Sequence, residues 1–172
     1  MTAGNKSANL ADRVLESLQN QKVVMLFTIA EEYGISELEA ARALPVEMRS
    51  FCPGDKFLEV WEGASQWPRA TFIMRHAGTV LEICGKIPAG KVGNGYLNLA
   101  HNAPLGGHIK YDSVRDICFL SMPFMGRESH SIQFMDANGA VLFSIYVGRD
   151  NHVLNPTALA AFQSMRNTFS KE

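Results

Sequence analysis

The sequence predicts an α+β fold with a small, winged-helix-like N-terminal part, a large curved antiparallel sheet and a C-terminal helix packed on that sheet. Apolar residues recur at helical spacing between positions 8 and 45, whereas from Ala70 onward they alternate with polar residues. The strand-like segments are joined mostly by short turns, which favours antiparallel pairing. The chain has 172 residues, of which 47% are hydrophobic and 19% charged, a globular composition. We therefore expect one domain over residues 1–172, with 8–45 as the helical part and 46–172 as the sheet and closing helix.

Three short helices are predicted in the helical part. Apolar residues at helical spacing mark the first, namely Leu10, Val14, Leu15 and Leu18. The second is predicted over 23–33, is apolar nearly all round at its start, and ends at Gly34. Ser36 and Glu39 form a capping box that starts the third helix, which Pro45 ends.

A glycine turn before the third helix is also typical of helix-turn-helix and winged-helix units that bind DNA. That helix, however, carries Glu37 and Glu39 against Arg42 alone, and the whole chain has a formal net charge of -1 with no basic block. Negative charge is unfavourable on a surface that faces phosphates. The sequence therefore favours a packing role for these helices and predicts no nucleic-acid partner, with a DNA-binding regulator as the less favoured alternative.

Residues 46–172 begin with a helix that Asp55 is expected to cap and whose apolar side is Phe57, Val60, Trp61 and Ala64. Strand patterns follow over 70–76, 79–84, 96–100, 108–110, 114–122, 131–135 and 141–147. Turns are predicted at Ala77-Gly78 and over 136–139. Asn155-Pro156 then starts the last helix, whose apolar stripe is Phe162, Met165 and Phe169.

The cysteines predict a reducing compartment. Cys52, Cys84 and Cys118 are odd in number and more than thirty residues apart, and two of them lie in apolar strand patterns. This spacing favours buried, reduced thiols over a disulfide framework.

No apolar signal segment follows Met1, and the longest apolar run, 23–30, is too short to span a bilayer. We expect a cytoplasmic protein with no membrane span.

His76 is the first candidate ligand. It shares a predicted strand face with Phe72 and Met74, and a lone histidine there is more often a hydrogen-bonded core or rim residue than a ligand. If it is a ligand, an apolar face with one imidazole suits haem, which requires an axial donor, an apolar wall and cations for its propionates. Tyr96 offers a phenolate or is a rim tyrosine with its hydroxyl in water, and His108 shares a strand face with Lys110.

Other motifs predict no catalytic or structural-metal site. Residues 85–91 match the first seven positions of a phosphate-binding loop, but Val92 stands where Mg²⁺ binding requires Ser or Thr, and no helix follows. The five histidines lack the spacing of a zinc site. Ser129 and His130 are adjacent, so on a strand they point to opposite faces and cannot exchange a proton. We therefore expect that the protein is not an enzyme.

Several ordered motifs carry a family resemblance over about residues 10–169. They are Gly90-Lys91-Val92 with Gly95-Tyr96-Leu97-Asn98-Leu99, then 107–110, 123–130 and 145–150. In these motifs the chain resembles the cytoplasmic haem-carrier proteins called HutX, ChuX and ShuX. The resemblance implies a sheet similar to one half of the larger HemS-type haem proteins. It also implies a homodimer that accepts imported haem and passes it to a haem-degrading or storage partner.

The resemblance also implies candidate ligands for the haem iron. The family's proposed histidines fall on His76 and His108, and some relatives without the first histidine appear to use the tyrosine of the Gly-Tyr-x-Asn-Leu motif, here Tyr96. Many relatives have His-Gly-His where this chain has Gly106-Gly107-His108. That difference concentrates the expectation on His108, while the choice among His76, His108 and Tyr96 stays open.

Lys91 and Arg127 are the expected cofactor-binding cations. Arg127 lies in the connection 123–130, where it either meets a propionate or, as we favour, pairs with Glu128 to support the loop. His130 in the same connection is a secondary candidate. The leading hypothesis is thus a non-enzymatic haem carrier, and the alternative is an enzyme that reduces or opens the porphyrin.

Overall fold

A computed structural model describes residues 9–20 and 24–170. Within them the helices are α1 Leu10–Asn20, α2 Leu26–Tyr33, α3 Glu37–Ala43, α4 Phe57–Ser65 and α5 Pro156–Phe169. The first strands are β1 Arg49–Pro53, β2 Ala70–His76, β3 Thr79–Gly85, β4 Gly90–Gly93, β5 Tyr96–Leu99 and β6 His108–Ile109. The remaining strands are β7 Asp116–Ser121, β8 His130–Met135, β9 Val141–Val147, β10 Arg149–Asp150 and β11 Val153–Leu154.

Six strands form an antiparallel sheet in the order β1-β7-β8-β9-β2-β3. The predicted α+β class is confirmed: α1 to α4 lie in the first part of the chain, interrupted only by β1, and β2 to β11 lie between α4 and α5. Strands β4, β5 and β6 form a separate three-stranded sheet instead of extending the large one. The tight turn at Asn94 and Gly95, both with positive φ, folds β4 directly onto β5.

The first face of the six-stranded sheet packs against α4 and α5. Apolar side chains at alternate strand positions, such as Phe119 and Ile132, are 0% exposed and lie against Trp61 and Phe162 of these helices. Burial of each such side chain contributes about 1.5–3 kcal/mol. The predicted apolar stripes of α4 and α5 are therefore confirmed as the helix surfaces that cover the sheet.

The second face packs against the N-terminal helices. Val14, Ile29 and Ala40 of α1, α2 and α3 share a buried cluster with Cys118 and Leu120 of β7. Helix α3 is also tied to the sheet through Glu37, whose carboxylate accepts a hydrogen bond from Val141 N at 2.6 Å and lies 3.3 Å from the guanidinium of Arg75. An acidic residue of α3 thus serves to attach the helix to the sheet.

The predicted helix ends are largely observed. Gly34 adopts the left-handed conformation after α2, with φ 64°. Ser36 and Glu39 exchange capping hydrogen bonds at 3.1 and 2.8 Å. The backbone N–H and the hydroxyl of Ser36 both donate to the Glu39 carboxylate, and these two bonds hold the pKa of that carboxyl below its usual value. The side chain of Asn155 accepts from Ala158 N at 3.0 Å at the start of α5.

Two helix starts were predicted wrongly. Helix α2 begins at Leu26, because Met25 is extended and its backbone exchanges hydrogen bonds with the Thr28 hydroxyl; Val23 of the predicted start lies outside the described residues. Asp55 does not cap α4, since a single 3₁₀ turn over 54–56 leads into that helix without a side-chain cap. Strand β1, which pairs with β7, was not predicted.

The three cysteines are free, as expected, but one of them is not buried. Cys52 and Cys118 lie in the core, whereas Cys84 is exposed. Cys84 belongs to β3, which is an edge strand of the sheet and is covered less than the central strands. An apolar alternation therefore predicted its strand correctly and its burial wrongly.

Candidate functional site

The small sheet formed by β4, β5 and β6 presents a row of polar side chains. Leu97 and Leu99 of β5 are both 4% exposed and pack into the core, so Tyr96 and Asn98 at the alternate positions face outward. Asn98 pairs with Lys91 of β4 on one side and with His108 of β6 on the other. Directly paired residues point to the same side of a sheet. Lys91, Asn98 and His108 therefore form one row across the outward face.

The hydrogen bonds of Asn98 fix the imidazole of His108. The Asn98 Nδ2 donates to the carbonyls of Lys91 and Gly93 at 3.1 and 3.2 Å, so Oδ1 is the amide atom that faces His108. This oxygen lies 2.7 Å from His108 Nδ1 and can only accept, so Nδ1 carries the proton. In the neutral ring the lone pair is then on Nε2, the arrangement found in most metal-binding histidines.

Tyr96 lies beside His108 on the same face. The two ring centroids are 6.3 Å apart with the planes at 75°, and Tyr96 is 41% exposed. The structure thus brings two of the three predicted ligands together, with the ammonium-bearing side chain of Lys91 in the adjacent strand. An imidazole, a phenol and a cation on one surface are the groups that an anionic metal complex requires.

His76 lies at the end of β2, where the first face of the large sheet is uncovered. Phe72 on this face is 7% exposed, whereas Met74 is 39% and Leu81, paired with it on β3, is 54% exposed. The prediction that Phe72, Met74 and His76 share one strand face is confirmed, because all three stand at alternate positions of β2. His76 is exposed, and it belongs to the six-stranded sheet, whereas Tyr96 and His108 belong to the three-stranded sheet.

The connection 123–130 is a tight hairpin followed by a hydrogen-bonded histidine. Phe124 and Arg127 exchange backbone hydrogen bonds of 2.9 and 3.0 Å around Met125 and Gly126, which both have positive φ. This is the geometry of a type I′ turn. The turn explains the glycine of the motif and places residues 124–127 at the edge of a cavity on the second face.

His130 is held on both sides of its ring. Its Nδ1 lies 2.8 Å from Ser121 Oγ and its Nε2 lies 2.7 Å from the Glu128 carboxylate. Arg166 of α5 donates to the same Ser121 oxygen at 3.1 Å. Both nitrogens are therefore occupied, and His130 has a structural environment that leaves no lone pair for a metal.

Glu128 is thus the partner of His130 and not of Arg127, which corrects the pairing favoured from the sequence. The guanidinium of Arg127 makes no ion pair or hydrogen bond with any residue in 9–20 or 24–170. Arg127 lines the cavity of the second face, whereas Leu97 and Leu99 attach the small sheet to the core of the first face. The predicted propionate partner Arg127 therefore lies at the cavity of the second face, and the predicted iron ligands Tyr96 and His108 lie on the small sheet.

Asn98 is the site residue that sequence reasoning missed. Its motif was recognised, but its role depends on the pairing of β5 with both β4 and β6. The available signal was its position two residues after Tyr96, which places both side chains on one strand face. Among the described residues, no three His, Cys, Asp or Glu side chains lie close enough to hold a metal ion, and no helix there is long and apolar enough to cross a membrane.

The chain belongs to the haem utilisation ChuX/HutX family, which matches residues 50–165. The intracellular heme transport protein HutX of Vibrio cholerae is 35% identical over 160 residues, which cover 92% of this chain and 83% of that protein. The resemblance drawn from the sequence motifs is thereby confirmed.

Solved structures agree with this assignment. The heme binding protein ChuX superposes with a TM-score of 0.80 at 33% identity, over 90% of this chain and 97% of that one. The heme degrading enzyme ChuS of Escherichia coli has a TM-score of 0.75 at 14% identity, over 95% of this chain and 49% of that one. The second likeness is one of fold alone, and it matches the expected similarity to one half of a larger protein.

Proposed function

We propose that this protein binds haem inside the cell and carries it without changing the porphyrin. The observation that carries the proposal is the fixed imidazole of His108, whose Nε2 faces away from its Asn98 partner beside Tyr96. An axial ligand for haem iron is commonly such an imidazole or a tyrosine phenolate. Family membership and the names of HutX and ChuX support haem as the ligand.

The iron ligands in this proposal are His108 and Tyr96, with His76 as a further ligand. Lys91 stands in the row with Asn98 and His108, where its ammonium group is available to a propionate. Met74 and Leu81 beside His76 supply exposed apolar surface for the porphyrin. Arg127 meets a haem propionate only if haem extends to the second face.

Two further points belong to the proposal. The protein acts as a homodimer, and it passes haem to a haem-degrading enzyme. The first rests on the family resemblance of the motifs, and the second on the transport function named for HutX. Sedimentation with and without hemin measures the dimer, and the rate at which an apo haem oxygenase acquires haem from the loaded protein measures the transfer.

A hemin titration tests the carrier function. We expect a Soret band that saturates at a fixed ratio of haem to protein. When a reductant and oxygen are added, the band should shift with the oxidation state of the iron but keep its intensity, because the porphyrin stays intact. Loss of the band under those conditions would identify an enzyme that acts on the porphyrin. Binding should weaken in His108→Ala, Tyr96→Phe or His76→Ala. The proposal is wrong if hemin absorbance never saturates or if all three variants bind like the parent.

A further inference from the structure

His108 and Tyr96 project from the same face of the small sheet. They belong to the neighbouring strands β6 and β5, and the opposite face carries Leu97 and Leu99, which are 4% exposed and lie in the core. Side chains on a strand stand roughly perpendicular to the sheet, so the imidazole and the phenol extend in the same direction. A flat molecule that lies on this face therefore meets both groups from one side.

The two rings are also too close for a porphyrin to enter between them. Their centroids are 6.3 Å apart with the planes at 75°, which is within the range of direct aromatic contact. Two axial ligands of one metal need their donor atoms on opposite sides of it, each at about 2 Å. Tyr96 and His108 are therefore alternative ligands for one axial position, and they do not hold an iron from both sides.

The outward side of this face is open to solvent. His108 is exposed, and Tyr96 is 41% exposed. The connection between β5 and β6 is held to the body of the protein, because Leu105 is 8% exposed in the core and the Leu99 N–H donates to the Gly107 carbonyl at 3.0 Å. A molecule held by His108 therefore keeps its other side in contact with solvent.

Lys91 determines how an anionic molecule lies across the row. Directly paired residues connect Lys91 to Asn98 and Asn98 to His108, so two strand spacings, about 10 Å, separate the lysine from the histidine. This span is comparable to the distance between the iron of haem and its propionates. Lys110, two residues after His108, is engaged with Asp112 at 3.9 Å. The arrangement therefore suits a haem that lies flat on the face, with its propionates toward Lys91.

We propose that His108 and Tyr96 hold haem from the sheet side alone, so that the solvent side takes an imidazole from outside the chain as the second axial ligand. The inference rests on the proposed function, since it concerns haem bound at these two residues. Imidazole is a common axial ligand of haem iron. A haem acceptor can then attach a histidine of its own before His108 releases the iron, and haem passes on without becoming free in solution.

Rapid mixing of the hemin-loaded protein with free imidazole tests the open position. Imidazole that binds directly gives a Soret shift whose rate is proportional to its concentration, so a tenfold increase in imidazole should raise the rate about tenfold. If a protein ligand fills the position, that ligand must leave first, and the rate reaches a plateau. Gel filtration in the presence of imidazole should show haem still bound to the protein, and haem stripped from the protein would overturn the proposal.

Variants locate any group that closes the position. Tyr96→Phe and His108→Ala each remove one donor from the sheet side and leave the other, so the haem that still binds should react with imidazole at a rate proportional to its concentration. The same proportionality is expected in His76→Ala. A plateau in the parent that disappears in His76→Ala would show that His76 holds the solvent side of the haem, and the proposal would be wrong.

Failure of the open position is distinguishable from failure of the carrier function. Hemin absorbance that never saturates would show that no specific haem site exists, and both proposals would be wrong. Saturating absorbance with a plateau in the imidazole rate would leave the carrier function standing and overturn the open position alone. The result that supports the proposal is a proportional rate, one imidazole bound per haem and haem retained on the protein.

Discussion

The Nδ1 atom of His108 lies 2.7 Å from Oδ1 of Asn98, whose amide nitrogen is committed to two backbone carbonyls of the small sheet. The amide therefore cannot rotate without losing those bonds, and the imidazole keeps its proton on Nδ1. A ring fixed in this tautomer presents Nε2 to a metal at no further ordering cost.

Removal of the Asn98 amide should reduce haem affinity although Asn98 touches no iron. Asn98→Ala frees the His108 ring and its tautomer, and loss of such a second-sphere partner typically costs about 10- to 100-fold in metal affinity. Hemin titration measures this change. Asn102→Ala, at an exposed turn position, is the matched control and should bind like the parent. Parental affinity in Asn98→Ala would show that the amide does not position the ligand.

His130→Ala should lower stability and leave haem binding unchanged. The histidine bridges Ser121 and Glu128 and packs at 5.2 Å from the Phe162 ring, so its removal leaves a partly buried hydroxyl and should cost about 1–3 kcal/mol. Urea unfolding gives the change in stability and hemin titration the change in binding. A large loss of affinity in a folded His130→Ala protein would make His130 a ligand.

Lys91 should contribute to hemin affinity through its positive charge. An exposed ammonium near a propionate contributes about 0.2–1 kcal/mol, so Lys91→Ala should weaken hemin binding by a few-fold at low salt. The difference should shrink as salt is added, because ions screen exposed charges. Lys86→Ala, another exposed lysine, should match the parent at every salt concentration. A salt-independent effect of Lys91→Ala would contradict the electrostatic role.

The fold should become less stable at alkaline pH because of the buried Cys118 thiol. Burial raises the pKa of this thiol from 9.0 to about 12. As the pH rises, the thiol therefore ionises first in the unfolded chain, and this ionisation stabilises the unfolded state relative to the fold. The neutral thiol makes its full contribution to the free energy of unfolding below about pH 9. Between pH 8 and pH 10 that free energy should fall by about 1.3 kcal/mol.

Urea unfolding at both pH values measures that loss. Cys118→Ala removes the thiol and should show a fall smaller by about the same 1.3 kcal/mol. Cys84→Ala leaves the buried thiol in place and should follow the parent. Identical pH dependence in the parent and Cys118→Ala would contradict a raised pKa at this position.

Local pattern predicted most of the fold. Alternation and short turns gave β2, β3, β7, β8 and β9, and capping chemistry gave the starts of α3 and α5. Strand β1 was missed because its sequence carries no clear alternation, and it is stabilised instead by pairing with β7. The exposure of Cys84 follows from its position on an edge strand, which only the strand order reveals.

The site was predictable only in part. The motifs identified Tyr96 and His108, which lie together because β6 pairs with β5. The support from Asn98 depends on the register of three strands, and the partner of Glu128 depends on where a turn places His130. The cavity with Arg127 is built from side chains separated by more than one hundred residues, and no local pattern encodes it.

The central claim is that haem iron is held at His108, and a hemin titration of His108→Ala tests it most directly. The control is His101→Ala, an exposed histidine in the neighbouring turn. We expect at least a tenfold loss of affinity and a changed Soret position in His108→Ala, with His101→Ala unchanged. Equal affinity and identical spectra in His108→Ala and the parent would contradict the account.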